Sequence, residues 1–150
     1  MKALLQRVSK ASVSVEGEEV GRIEKGLVVL IGVAGGDTEK DAQYVISKTI
    51  NLRIFADAQS KFNLSALDIQ GELLLVSQFT LLGDTRKGRR PSFDQAAAPA
   101  EAEKLFNYCV DLARLSGLKV ATGRFQEHMQ VEIHNDGPVT VMVDSREKFG

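Results

Sequence analysis

A β-rich α/β fold in a single domain is what this sequence predicts, on three observations. Gly26 to Val33 is a nearly continuous apolar run, the pattern of a strand buried on both faces. Around it, short segments alternate apolar and polar residues at period two, among them Met129, Val131 and Ile133, then Val139, Val141 and Val143. Two longer stretches, after Thr38 and after Ala98, carry the start signals of amphipathic helices.

In chain order, Ala3 to Val8 and Ser12 to Val15 read as strands, and Glu16-Gly17-Glu18 turns the second into Val20 to Ile23. The apolar strand Gly26 to Val33 follows. Thr38 with Asp41 three positions on resembles a capping box, opening a helix through Ala42, Val45, Ile46 and Ile50. A short strand at Leu52 to Phe55, a loop through Leu64 and a strong strand from Leu73 to Thr80 come next. Pro99 at a first helical position, Glu101 and Glu103 in the first turn and Gly117 just past the end delimit a second helix, Ala98 to Ser116. Strands at Lys119 to Arg124, Met129 to His134 and Val139 to Asp144 close the chain, and the two helices cover the sheet. No linker, repeat or low-complexity tract interrupts it, so residues 1–150 read as one domain.

Composition narrows the function classes. With 150 residues and 43% hydrophobic content, the chain is long enough to bury a full core without disulfides or a structural metal. The single cysteine, Cys109, shares a helix face with Ala102, Leu105, Phe106 and Leu112 and reads as a core residue, which fits a reducing cytoplasm. The longest unbroken apolar run, Leu27 to Ile31, falls far short of the roughly 20 residues that span a bilayer. Gln6 and Arg7 interrupt any signal-peptide core, so a soluble, cytoplasmic protein without membrane attachment is expected. A formal net charge of −1 argues against indiscriminate nucleic-acid binding. Locally, however, Arg86, Lys87, Arg89 and Arg90 crowd one loop closed by Pro91, which is either a phosphate-contacting patch or a solvated basic loop.

Three segments carry candidate chemistry. In Asn135-Asp136-Gly137-Pro138-Val139-Thr140, a glycine and a proline stand side by side between two alternating runs, which places them at a tip. A prolyl bond reaches the cis form at modest cost and glycine has no Cβ, so such a tip can present bare carbonyls to something small; it is also ordinary turn chemistry. In Ser77-Gln78-Phe79-Thr80-Leu81, polar residues interrupt the end of an apolar strand. The glycines of Gly32 to Asp37 fail the spacing of a dinucleotide or phosphate loop.

With these segments in hand the chain resembles the D-aminoacyl-tRNA deacylases, a family marked by Ser-Gln-Phe-Thr and Asn-x-Gly-Pro-Val-Thr motifs. The resemblance extends to Leu5-Gln6-Arg7-Val8, Arg53-Ile54-Phe55, the Gly88 to Phe93 loop, and Thr122 to Phe125 with Met129-Gln130-Val131. One departure is Ser60-Lys61-Phe62-Asn63, where the family pattern has Gly-Lys-Met-Asn. The resemblance implies a barrel-like sheet and a two-fold homodimer. It implies hydrolysis of the ester that joins a D-amino acid to the 3′ end of tRNA, without a cofactor. It also implies a cis Gly137-Pro138 bond, inserted from one subunit into the other's pocket so that the active site crosses the interface. Mischarged glycyl-tRNA, having no side chain to reject, would pass the same filter.

Ester hydrolysis needs a nucleophile, a proton carrier and donors for the developing oxyanion. His128 and His134 share strand parity with Gln130 and Glu132, on the polar side of one strand, and make no metal-ligand spacing; neither a catalytic histidine nor a metal is expected. Thr80 is a nucleophile by composition, with Gln78 on the same strand face and Ser77 on the other, yet no base to activate it is readable. Thr80 as a structural hydrogen-bonding residue therefore stays open beside Thr80 as attacker. Without a base, backbone N–H groups around Ser77 to Thr80 must supply oxyanion stabilisation, and the resemblance implies that the terminal ribose 2′-hydroxyl assists. Carbonyls of Gly137 and Pro138 can form a rigid wall that rejects one hand at Cα. Arg7, a charge among Ala3 and Leu5 on its strand, either pins that tip through backbone oxygens or reaches water at an edge. By resemblance, Phe79, Ala102, Phe125 and Met129 line the rest of the pocket.

Overall fold

The computed structural model describes residues 1–147. Its spine is β1 (Lys2–Val15), one strand where the sequence suggested two. The polar Ser9-Lys10 step breaks the alternation without reversing the chain: register irregularities fall between Gln6 and Val8 and between Val8 and Lys10. Facing therefore changes along the strand. Ala3 and Leu5 pack toward the helices, while Val8, Ala11 and Val13 pack into a second core on the opposite face.

β1 is long enough to serve several neighbours. Its second half pairs with β2 (Glu18–Ile23) across a hairpin whose turn residues Glu16 and Gly17 have φ of 51° and 80°, the left-handed pair a two-residue hairpin requires. Its first half pairs antiparallel with β3 (Gly26–Gly32), which runs parallel to β6 (Glu72–Ser77). β6 in turn runs parallel to β7 (Val120–Thr122). The order β2-β1-β3-β6-β7 curls until its ends meet: a Cβ on Gly21 in β2 would lie 2.8 Å from the Thr122 carbonyl oxygen in β7. The sheet is thus a nearly closed, barrel-like wrap. β3 is buried along its whole length, as its unbroken apolar run predicts. Leu27, Val29 and Ile31 face the helices, and Val28 and Leu30 face the interior of the curl.

The last strand departs from the sequence reading most. Met129 to His134 and Val139 to Asp144 are not the two arms of a hairpin; they belong to one strand, β8 (Gln130–Asp144), antiparallel to β1 along both halves. Each half finds its hydrogen-bond partners in β1, so neither needs the other. Between the pairs Val8↔Asn135 and Gln6↔Thr140, β1 advances two residues while β8 advances five. Gly137 and Pro138 therefore sit in a bulge of β8, not at a turn between strands.

The outer face of the sheet is covered by α1 (Glu39–Asn51) and α3 (Pro99–Leu115). Asp41 accepts the Thr38 N–H at 2.8 Å, the reciprocal bond of the foreseen cap. Cys109 is fully buried in the core under α3. Leu to Ala at Leu27, Leu73 or Leu75, all fully buried, would cost about 2–5 kcal/mol each.

Smaller differences concern the middle of the chain. The expected strand Leu52 to Phe55 shrinks to β4 (Phe55–Ala56), because Leu52 is taken by the end of α1, donating to Lys48 O. β4 pairs with β5 (Phe62–Leu64), and a single-turn α2 (Ala66–Ile69) follows, capped reciprocally by Ser65 and Asp68. The Leu73 to Thr80 strand ends at Ser77, and Phe79–Leu82 wind into a 3₁₀ turn. Lys119 to Arg124 contributes only the three residues of β7.

Candidate active site

A cleft of about 530 Å³ opens where β6, α3 and the segment before β8 converge. Ser77 and Phe79 enter it from the end of β6, Ala102 from α3, and Phe125 and Met129 from the approach to β8. Five of the residues singled out from sequence thus share one cavity. Phe79 packs edge-on against Phe93 with ring centroids 5.1 Å apart, and Phe125 stacks on the buried Phe106 at 6.4 Å. The remaining lining includes Val33, Ala96, Ala97 and Pro99, with Gln126 and Glu127 as the polar members. The sequence reading named Val33 and Pro99 only as the ends of a strand and a helix, and placed none of these in the pocket. Small apolar residues carry no chemical signature, and the only available signal was the alanine run before Pro99.

Gln78 and Thr80 do not line the cleft. They could not share a strand face, because the strand has ended; instead Gln78 Nε2 donates to Thr80 Oγ1 at 3.0 Å beside the opening. Gln78 N–H donates to Ile31 O at 2.8 Å, fixing the turn to β3. The 3₁₀ bonds use the N–H groups from Leu81 onward, with Leu81 donating to Gln78 O and Gly83 to Thr80 O. The N–H groups of Phe79 and Thr80 head the turn and have no acceptor among the described residues. Two free amides beside an apolar cleft are the kind of donor pair that stabilises a developing oxyanion. Among the described residues no histidine or carboxylate contacts the Thr80 hydroxyl: His134 pairs with Glu132 at 2.8 Å on the exposed face of β8, as its parity predicts, whereas His128 lies exposed before the strand begins. Among the described residues, no group of three His, Cys, Asp or Glu side chains is arranged to hold a metal ion.

The Gly137-Pro138 peptide bond is cis. Gly137 has φ 128°, and a Cβ there would lie 2.8 Å from Val139 Cγ2 and 3.0 Å from Arg7 Nη2, so the position requires glycine. Asn135 stitches the bulge, its Oδ1 accepting the Val139 N–H and its Nδ2 donating to Thr140 Oγ1, both at 3.1 Å. Arg7 is not an edge residue reaching water: its side chain is only 13% exposed. Its Nη1 donates to Ile54 O at 2.9 Å and its Nε to Asp136 O at 3.1 Å, with the Phe62 ring 5.5 Å from its guanidinium carbon. Both Gly137 and Pro138 are exposed, and neither lines the cleft of its own chain.

The basic loop is closed by a backbone bridge between Asp84 and Ser92, next to the cleft residue Phe93. Its four cations are not equivalent. Arg86 is committed to Asp84 through bonds of 2.9 and 2.7 Å, and this guanidinium holds the Asp84 carboxyl down to about 2. Lys87, Arg89 and Arg90 are exposed and make no ion pair among the described residues.

Comparison with known proteins matches this architecture. The family described as D-Tyr-tRNA(Tyr) deacylase matches residues 4–144. A D-aminoacyl-tRNA deacylase of Dehalococcoides mccartyi is 61% identical over 149 residues, covering 99% of this chain and 97% of that protein. One of Caldicellulosiruptor saccharolyticus is 58% identical over 151 residues, covering 99% and 100%. Among solved structures, a c-Myc DNA unwinding element binding protein superposes with TM-score 0.90 at 40% identity, covering 96% of this chain and 98% of that one. A probable eukaryotic D-amino acid tRNA deacylase shares the fold, with TM-score 0.83 at 19% identity over 95% and 98% of the two chains. By this match along nearly its whole length, the chain belongs to the D-Tyr-tRNA(Tyr) deacylase family.

Proposed function

We propose that this protein hydrolyses the ester bond of D-aminoacyl-tRNA in the cytoplasm, releasing the D-amino acid and tRNA and leaving L-aminoacyl-tRNA intact. The observation that carries the reading is the family match over residues 4–144. The aminoacyl group enters the cleft beside Phe79, Ala102, Phe125 and Met129, with its carbonyl oxygen toward the N–H groups of Phe79 and Thr80. Those amides stabilise negative charge as it develops, in a site walled by apolar side chains where such donors are worth most. With no base on Thr80, the adjacent ribose 2′-hydroxyl carries the proton traffic, and Ser77 and Gln78 hold the turn. Lys87, Arg89 and Arg90, with Arg86 contributing less, neutralise phosphates near the tRNA 3′ end.

Chiral selection belongs to the cis Gly137-Pro138 segment. Being exposed and outside its own chain's cleft, it acts by entering the cleft of a second copy, so the working unit is a homodimer with an active site shared across the interface. Carbonyl oxygens next to Cα then collide with an L side chain and accept a D residue or glycine. The same filter therefore passes mischarged glycyl-tRNA.

The test is turnover of matched D-, L- and glycyl-tRNA esters by purified protein. Fast release from the D- and glycyl-esters with the L-ester spared is expected. Equal rates on both hands would remove the chiral reading. Retention of tRNA without turnover would favour a nucleic-acid-binding module built on residues 86–90.

A further inference from the structure

We propose that Asp37 is a positioning residue of the cleft, its buried carboxylate holding the wall made by Val33, Ala96 and Ala97 through a knot with the Met1 amine and Arg146. That wall has no side-chain hydrogen bonds of its own. It is held by backbone: Ala97 N–H donates to Val33 O and Gly35 N–H to Gln95 O, both at 2.9 Å, around a bridge between Ala34 and Ala96. What fixes the 33–37 turn on its other side is Asp37. Its Oδ2 accepts the Ala34 N–H at 2.7 Å and the Met1 ammonium at 2.8 Å, with the Met1 and Asp37 side chains 0% and 1% exposed. Its Oδ1 accepts Arg146 Nη2 at 3.1 Å, and the same nitrogen donates to Gly35 O at 2.6 Å.

The knot reaches further. The Met1 amine also donates to Ser145 Oγ at 2.9 Å, and Ser145 Oγ donates to Asp41 Oδ1 at 2.7 Å. The start of β1, the residues just past β8 and the start of α1 therefore converge on the turn that carries the cleft wall. A fully buried ion pair is a poor source of net stability, because desolvation offsets most of its attraction. Its presence at a cleft wall is better explained by geometry: a charged, many-armed contact fixes a turn more sharply than apolar packing of Val33 and alanines can. The kinetic arm of the test rests on the deacylase reading; the amide-exchange arm does not.

The experiment compares wild type, Asp37→Asn, Arg146→Met and wild type with its Met1 amine acetylated. Hydrogen exchange at the amides of Ala34, Gly35 and Ala97 is measured alongside kinetics on D-aminoacyl-tRNA. Exchange at those three amides is expected to rise on the order of tenfold, with the rest of the sheet unchanged. KM is expected to rise on the order of tenfold with kcat nearly held, because the wall supports ground and transition states equally. Acetylation added to Asp37→Asn should do little more than either change alone, the mark of one shared interaction. Should Asp37→Asn not fold, Arg146→Met and the acetylated chain carry the same expectations, since Arg146 is 55% exposed. Unchanged exchange at the three amides, or a loss confined to kcat with KM unmoved and a lowered melting temperature, overturns the proposal. A wild type that turns over no D-ester sinks the deacylase reading instead, and exchange still decides the brace.

Discussion

Arg7 Nε donates to the carbonyl oxygen of Asp136 at 3.1 Å, tying the spine strand to the residue directly before the cis Gly137-Pro138 bond. A charge-assisted bond of this kind is worth about 1.5–3 kcal/mol. Arg7→Ala is therefore expected to lower the ratio of D- to L-ester hydrolysis on the order of 10-fold or more, mainly by raising the L rate. Measuring both rates on the same preparation checks it; an unchanged ratio would mean the bulge holds its shape without the guanidinium.

Thr80 offers a pair of opposed substitutions. Its hydroxyl accepts from Gln78 at 3.0 Å and touches no base among the described residues, so Thr80→Ala should cost only the few-fold loss of one exposed hydrogen bond, about 2- to 10-fold in kcat. A true nucleophile would cost on the order of 10⁶-fold. Thr80→Pro removes the N–H while keeping a residue compatible with a first helical turn, and should cost about 10²–10³ in kcat. Single-turnover rates for both variants separate backbone stabilisation from covalent attack.

In the basic loop, charge removal should be graded. Neutralising Lys87, Arg89 and Arg90 should flatten the dependence of log affinity on log salt by about 0.7 for each phosphate left without its cation. Arg86→Gln should change the slope less, because that guanidinium is already paired with Asp84. A tRNA-binding titration over a salt series reads both.

The same pair sets a pH expectation. The Asp84 carboxyl is lowered to about 2, chiefly by its hydrogen bonds to the Arg86 side chain. A lowered carboxyl contributes order above its ordinary value near 3.8 and loses it as pH falls toward about 2. The Asp84 carboxyl resonance should accordingly titrate near 2, and the loop should stay closed at pH 4. Arg86→Gln should return the titration toward the ordinary value.

Cys109 should be silent to thiol reagents in the folded protein. Burial pushes its thiol up to about 12, and its sulfur lies 3.7 Å from Met1 Sδ inside the core. A disulfide exchange reagent at pH 8 should label it only at the rate of unfolding; rapid stoichiometric labelling would place it at the surface.

Where the sequence reading succeeded, a local pattern had one physical solution. Gly26 to Ile31 alternates between two cores and so must be apolar throughout. Pro99 has no N–H to lose and fits only a first turn. It failed where a long-range partner decided the outcome. Asn135 to Thr140 has the composition of a turn, yet β1 extends past it and captures the strand on both sides. Phe79-Thr80 continues the alternation of β6, but Leu82 is buried and Leu81 partly so, a pattern a tight turn meets as well as a strand. The cleft itself was legible through its aromatic and thioether residues, Phe79, Phe125 and Met129, and illegible through Val33, Ala96 and Ala97, whose contribution is shape alone.

The mismatch in which β8 spends five residues where β1 spends two has a bearing on how this chain can evolve. Deleting or inserting one residue between Asn135 and Thr140 would either move Gly137 and Pro138 from their place in the bulge or, where the pairing slips instead, turn Val141 and Val143 outward and bring Met142 and Asp144 against the helices. A change in length is therefore tolerated there no better than a side chain at Gly137, and descendants should preserve the count as well as the glycine.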